Sequence, residues 1–304
     1  MADPWVAPDT QAAPATAPAA WSDAVLSSGH TAPVTTGVLP LRPLTIPDIL
    51  DGALRAWKLA PATMALLAAV FVVPVQVVLG ILSRDAIEDV ELGQTFSDAF
   101  GGSSDVETGF LGDFYLVGVV VHGLTLALVA AAVARLMSGW YVGQRLEVFD
   151  LVRGSLRRAL PLAGAWFLVH LLEAAFALMI VVPAIVPMTW YAVVTPVIAC
   201  EGVGPIRAMR RSFRLCNRRF GGVLGVCLLV AAVDSLLSVA LTALSAVYLE
   251  LDLPAGWLVE TAVSSAALLV TVPFVASAAA LLYIDLRVRT EGLDIELAAG
   301  RRFA

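Results

Sequence analysis

An all-α polytopic membrane bundle of six transmembrane helices is the fold this sequence predicts, and three observations predict it. Hydrophobic residues fill 59% of the 304 positions and charged residues only 14%, with a mean hydropathy of +0.86. A soluble domain carries roughly a quarter charged residues. The apolar residues gather into runs long enough to cross a bilayer, and the charges separate by sign between the segments joining those runs. The formal net charge of −6 conceals that separation.

The first 44 residues are a different material, rich in Ala, Pro and Thr, with prolines at 4, 8, 14, 18, 33, 40 and 43. Such a stretch buries too little apolar surface to offset its ordering entropy. No basic residue precedes Arg42 and no continuous apolar run lies upstream of it, so it does not read as a secretory signal. It reads as a disordered cytoplasmic tail, followed by a membrane domain over 45–297 and a short cytoplasmic tail over 298–304.

A crossing helix needs about 20 apolar residues. Residues 59–82, 114–137, 220–248 and 257–284 each meet that length. The stretch Leu160–Ala199 reads as either one overlong helix or two spans. Charge decides between them. Arg145, Arg153, Arg157 and Arg158 precede it, and Arg207, Arg210, Arg211, Arg214, Arg218 and Arg219 follow it. Arginine-rich loops stay cytoplasmic, so the chain must cross an even number of times. Spans over 161–182 and 184–199 are therefore expected, turning near Val182–Pro187, with Trp190 and Tyr191 in the outer interfacial belt. The loop 83–113 carries Arg84 against eight acidic residues, and it falls outside, as does the acidic turn 250–256. Both termini fall inside, as expected for a multi-pass protein of the cytoplasmic membrane.

A short segment before each pair of spans repeats a pattern. Asp48-Ile-Leu-Asp-Gly-Ala-Leu-Arg55, Asp150-Leu-Val-Arg-Gly-Ser-Leu-Arg157 and Arg207-Ala-Met-Arg-Arg-Ser-Phe-Arg214 each end in a small residue, a large apolar residue and arginine. In the third, Ile206, Met209, Phe213, Cys216 and Phe220 recur at helical spacing, with Arg207, Arg211, Arg214 and Arg218 on another face. That is the pattern of a helix lying in the interface. Three units are expected, each an interfacial helix followed by a transmembrane hairpin.

These residues also carry a resemblance. The stretches Leu41–Trp57 and Cys200–Leu215, with the ending Tyr283–Leu297, resemble the bacterial glycerophosphoryl diester phosphodiesterase membrane-domain family and related uncharacterised integral membrane proteins. The resemblance covers Leu41 to Leu297. It implies a membrane module without phosphodiesterase activity, because the hydrolase of that family is a separate soluble barrel of about 250 residues, for which this chain has no room.

Ionisable groups at mid-membrane depth are costly and mark functional candidates. His122, His170, Glu173 and Asp234 are the four here, with His170 and Glu173 three apart on one helix face. They form either a convergent polar site or packing contacts between helices. The second candidate is the arginine set Arg207, Arg210, Arg211, Arg214, Arg218 and Arg219, suited to anionic lipid headgroups or an acidic partner. The same arginines also serve simply to hold their loop inside. Cys200, Cys216 and Cys227 lack metal-site spacing, so no metal and no cofactor is expected. No P-loop, GxSxG, HExxH or dinucleotide fingerprint occurs, and the basic residues follow span ends, which argues against nucleic-acid binding. The reading is a non-catalytic scaffold organising lipid or partner proteins at the cytoplasmic face of the bilayer. The alternative is a small proton-coupled transporter or channel built on the mid-membrane cluster. An intramembrane enzyme ranks third, having only two histidines in the membrane.

Overall fold

The computed structural model describes residues 42–89, 108–144, 146–177, 181–250 and 256–293. The tail up to residue 41, the middle of the acidic loop and the C-terminal tail lie outside them. Among the described residues there are ten helices and no strand. In chain order they are α1 (Ile46–Leu59), α2 (Pro61–Asp89), α3 (Thr108–Val142), α4 (Val148–Leu156), α5 (Ala159–Ala177), α6 (Val181–Trp190), α7 (Val194–Glu201), α8 (Pro205–Asn217), α9 (Phe220–Glu250) and α10 (Gly256–Glu291).

Five of these, α2, α3, α5, α9 and α10, are long and apolar enough to cross a membrane. Helix α10 is their axis. It packs against α1, α2, α3 and α9, and 72% of its apolar stretch is buried, against at most 39% in the other four. Small side chains permit the approach: Ala276, Ala278 and Ala280 of α10 and Ala131, Ala132 and Ala134 of α3 are all buried. Lipid cannot drive apolar helices together, so close backbone packing supplies much of the association.

The three short helices α1, α4 and α8 precede α2, α5 and α9, and they begin at matching positions of the repeated pattern. Burial follows the pattern too. Ile49 and Ala53, Leu151 and Ser155, and Ala208 and Ser212 are buried one turn apart in the three helices. The next residue in each, Leu54, Leu156 or Phe213, is a large apolar side chain left exposed. Each helix thus sets a small residue against the bundle and turns an apolar one outward. In α4 the contact is closer still. The Arg135 guanidinium of α3 lies over Gly154, where a Cβ would overlap it, and Arg135 Nη1 donates to the Asp150 carbonyl at 3.3 Å.

Helix α1 starts with a capping box. Thr45 Oγ1 accepts from the Asp48 N–H and the Asp48 carboxylate accepts from the Thr45 N–H at 2.9 Å. Loss of such a cap costs about 1 kcal/mol, and Thr45→Ala is expected to lower the midpoint of thermal unfolding accordingly. The Thr45 backbone N–H and then its hydroxyl hold the Asp48 carboxyl below its usual value and outweigh the opposing desolvation, with Arg42 and Arg55 adding to the lowering. A lowered folded-state value means stabilisation present above the ordinary carboxylate range and lost as pH falls through the lowered one. An acid titration of stability should therefore lose one carboxylate's contribution in Asp48→Asn. Upstream, Leu44, assigned by the sequence to the tail, is buried and bonded to α10, so ordered structure begins before residue 45.

The stretch Leu160–Ala199 departs from expectation in detail. Residues 182–187, read as a turn, are helical within α6, and Pro187 lies inside that helix. Residues 178–180, which join α5 to α6, lie outside the described residues, and a separate break, between α6 and α7, falls at 191–193. Pro196 explains its place. A proline has no N–H to give the residue four back and crowds that carbonyl, yet it is tolerated in a helix's first turn. So α7 starts afresh at Val194, with the Val194 N–H donating to the Tyr191 carbonyl at 3.1 Å. The Trp190 carbonyl, passed over by that shift, accepts from Ser212 Oγ of α8 at 2.8 Å. Trp190 and Tyr191 consequently stand against α8 and not at a hairpin turn, with the Trp190 ring edge-on to Phe213 at 5.0 Å. Meanwhile Arg158, just before α5, donates to the Ile198 carbonyl at 2.6 Å and to that of Ala199 at the end of α7. The two ends of the stretch meet at one end of the bundle.

Candidate functional site

Two features of the bundle hold the sequence-derived candidates. The first is a cavity of about 600 Å³ between α3, α5, α7, α9 and α10. Its lining includes His122 of α3, His170 of α5 and Asp234 of α9, three residues that stand far apart in the chain. Thr195 of α7, Thr271 of α10 and Trp166 complete its polar and aromatic lining, and the rest is Val, Leu, Ala and Gly. Glu173, the fourth candidate, is not on that lining. It joins through His170, whose Nε2 is 3.9 Å from Glu173 Oε2.

The His170 ring is held from behind. It stacks on Trp166 with ring centroids 4.1 Å apart, and its Nδ1 lies 2.8 Å from the Trp166 carbonyl oxygen. A carbonyl only accepts, so Nδ1 carries the proton and Nε2 faces Glu173. The Trp166 indole in turn covers Gly123, where a Cβ would overlap its ring. The glycine on α3, one residue after His122, is what lets the indole in. This placement has a local sequence signal, the Trp166/His170 spacing of one turn, but the approach to Gly123 has none.

The second feature is a basic pocket of about 950 Å³ along α8. Arg207, Arg210, Arg211 and Arg214 line it, with Tyr191, Glu201 and the apolar Ile206 and Phe213. The structure divides the six arginines expected to act together. Arg219 lines a different cavity, of about 290 Å³, beside Leu44, Asp285 and Arg289, and Arg218 is on the lining of neither.

Arg211 is a structural residue. Its Nε donates to Glu201 Oε1 at 3.0 Å and its Nη2 to Glu291 Oε2 at 2.8 Å, tying α8 to the end of α7 and the end of α10. Arg287 Nε donates to Glu291 at 2.9 Å and the Tyr283 hydroxyl donates to Glu201 at 2.9 Å. Burial alone would lower the Arg211 value, but its hydrogen bonds to the two carboxylates outweigh that and hold it fully charged. Sequence reasoning found Arg211 and missed Glu201, Glu291, Arg287 and Tyr283, because partners ten to eighty positions away leave no periodic trace.

With Arg211 satisfied, Arg207, Arg210 and Arg214 make no ion pair among the described residues. They occupy positions i, i+3 and i+7, one face of α8. Cys216, on the same helix, is buried, and burial pushes its thiol up to about 12. It is a packing residue.

No protein-family model matches the chain, and no curated protein and no solved structure was found similar to it.

Proposed function

We propose that the chain is a six-crossing, non-catalytic membrane module that holds anionic lipid headgroups at the cytoplasmic face of the cell membrane. The observation that carries this reading is the row of three guanidiniums, Arg207, Arg210 and Arg214, with no ion-pair partner among the described residues and opening into one large pocket. Ile206 and Phe213 are exposed on the same helix. A cationic row beside exposed apolar side chains is what the phosphate and upper acyl region of a lipid require. The crossing count rests on the five apolar helices, with α6 and α7 together as a broken sixth. Residues 181–201 rise about 30 Å at 1.5 Å per residue, which matches the hydrocarbon thickness. The three short helices read as three interfacial units, and the arginine-rich face, with both termini, as cytoplasmic. The resemblance to the phosphodiesterase membrane-domain family belongs to this reading, as a membrane module without the hydrolase. An acidic protein surface is the other partner this face would suit.

The test is lipid retention. The protein is released from nanodiscs of mixed phosphatidylglycerol and phosphatidylcholine, and the bound lipids are counted by native mass spectrometry. Each basic residue near an anionic headgroup contributes about 1 kcal/mol. The triple variant Arg207→Gln/Arg210→Gln/Arg214→Gln should lose between tenfold and a hundredfold in preference for phosphatidylglycerol, whereas Arg218→Gln should retain it. Equal retention of both lipids by the native protein would sink the proposal.

A further inference from the structure

The mid-bundle cavity is independent of the lipid contact, and its chemistry specifies a ligand. We infer that it binds a hydrophobic organic cation, an amine or quaternary ammonium ion with apolar substituents. Ligand sites are commonly concave, about 300–1,000 Å³, mostly apolar, and carry a few convergent polar groups. This cavity, at about 600 Å³, meets each condition. Among the described residues its one lining carboxylate is Asp234, with Glu173 behind His170, its only nitrogen bases are the imidazoles of His122 and His170, and no arginine or lysine lines it. A cation is therefore the charge it complements. Trp166 is also on the lining, with its ring stacked on His170. Thr195 and Thr271 supply acceptor oxygens for an amine N–H. The Val, Leu and Ala walls suit apolar substituents and exclude a small hydrated metal cation.

Asp234, Val275 and Ala279 line a second cavity, of about 260 Å³, on the same α9–α10 seam. That cavity shares Val226 and Leu282 with the 290 Å³ cavity at the α1 end, where Arg219, Asp285 and Arg289 stand. The three cavities share lining residues along this seam, and Asp234 lines both the first and the second.

The test uses two ions of one shape and opposite charge, tetraphenylphosphonium and tetraphenylborate, with the full chain in nanodiscs of neutral lipid. Equilibrium binding of tetraphenylphosphonium is expected to be saturable, to weaken at least tenfold in Asp234→Asn, and to persist in Asp234→Glu. Tetraphenylborate binding should not respond to either change. Ala130→Leu narrows the cavity from α3 without touching its charge, and it should weaken tetraphenylphosphonium binding as well. This last variant decides the matter if Asp234→Asn does not fold. Equal binding of both ions, or native affinity for tetraphenylphosphonium in folded Asp234→Asn or in Ala130→Leu, overturns the inference. The lipid-retention result is untouched by either outcome, because phosphatidylglycerol is absent here.

Discussion

Asp285→Ala is expected to destabilise the bundle by about 3–5 kcal/mol, the range for removing one partner of a buried ion pair. Asp285 is 4% exposed on α10. Its Oδ1 accepts from the Leu44 N–H at 2.7 Å and from Arg289 Nε at 2.8 Å, and Arg289 Nη2 donates to the Leu44 carbonyl at 2.6 Å. The pair thereby satisfies both backbone groups of a buried residue that no helix serves. Removing the carboxylate leaves the Leu44 amide without a partner and strips the Arg289 guanidinium of its counter-charge and Nε acceptor, and each loss costs free energy at a buried position. Asp285→Asn keeps an acceptor for Leu44 but loses the charge, so it should fall between native and alanine. Thermal unfolding in detergent micelles gives the stability change. Hydrogen exchange at the Leu44 amide locates it, and an unchanged exchange rate there would contradict the assigned role.

Arg211→Ala should cost about 3 kcal/mol, the lower end of the same range, because Arg211, Glu201 and Glu291 each retain about a quarter of their exposure. The loss exceeds one ion pair. It leaves two carboxylates, from α7 and α10, sharing Arg287 and the Tyr283 hydroxyl alone. It also removes the charged link that holds α8 to both helices. Arg211→Lys keeps the charge but not the planar fork that reaches two carboxylates at once, so a partial loss is expected. Arg210→Ala, one position earlier, should change stability by less than about 0.5 kcal/mol, as surface substitutions usually do. A thiol-reactive dye that labels Cys216 on unfolding can rank all three variants. Equal stability of Arg211→Ala and Arg210→Ala would show that the network carries no weight.

These two arginines mark where sequence reading stops. Both sit in a basic amphipathic segment, and helical periodicity correctly placed them on α8. Periodicity could not say that one is neutralised by Glu201 and Glu291 while the other faces an open pocket. The mid-membrane candidates divide in the same way. Rarity of ionisable residues in apolar runs singled out His122, His170, Glu173 and Asp234 from composition alone. Their convergence depended on how α3 and α9 pack on α10 and α5 packs on α3, and packing put Glu173 just outside the cavity lining. The prolines divide too: Pro187 looked like punctuation yet lies inside α6, whereas Pro196, read as one proline among several, sets the break between α6 and α7.

The sequence by itself determined the helical class, the apolar runs long enough to cross a membrane, and the three short helices that begin at matching positions. Hydropathy and helical period are sums over neighbouring residues, so a single chain displays them without its partners. Only the tertiary structure decided which arginine is paired, where the helix breaks between α6 and α7, and which polar residues share a cavity. Those outcomes depend on distances between helices tens of residues apart in the chain, set by close packing of small side chains along α3 and α10.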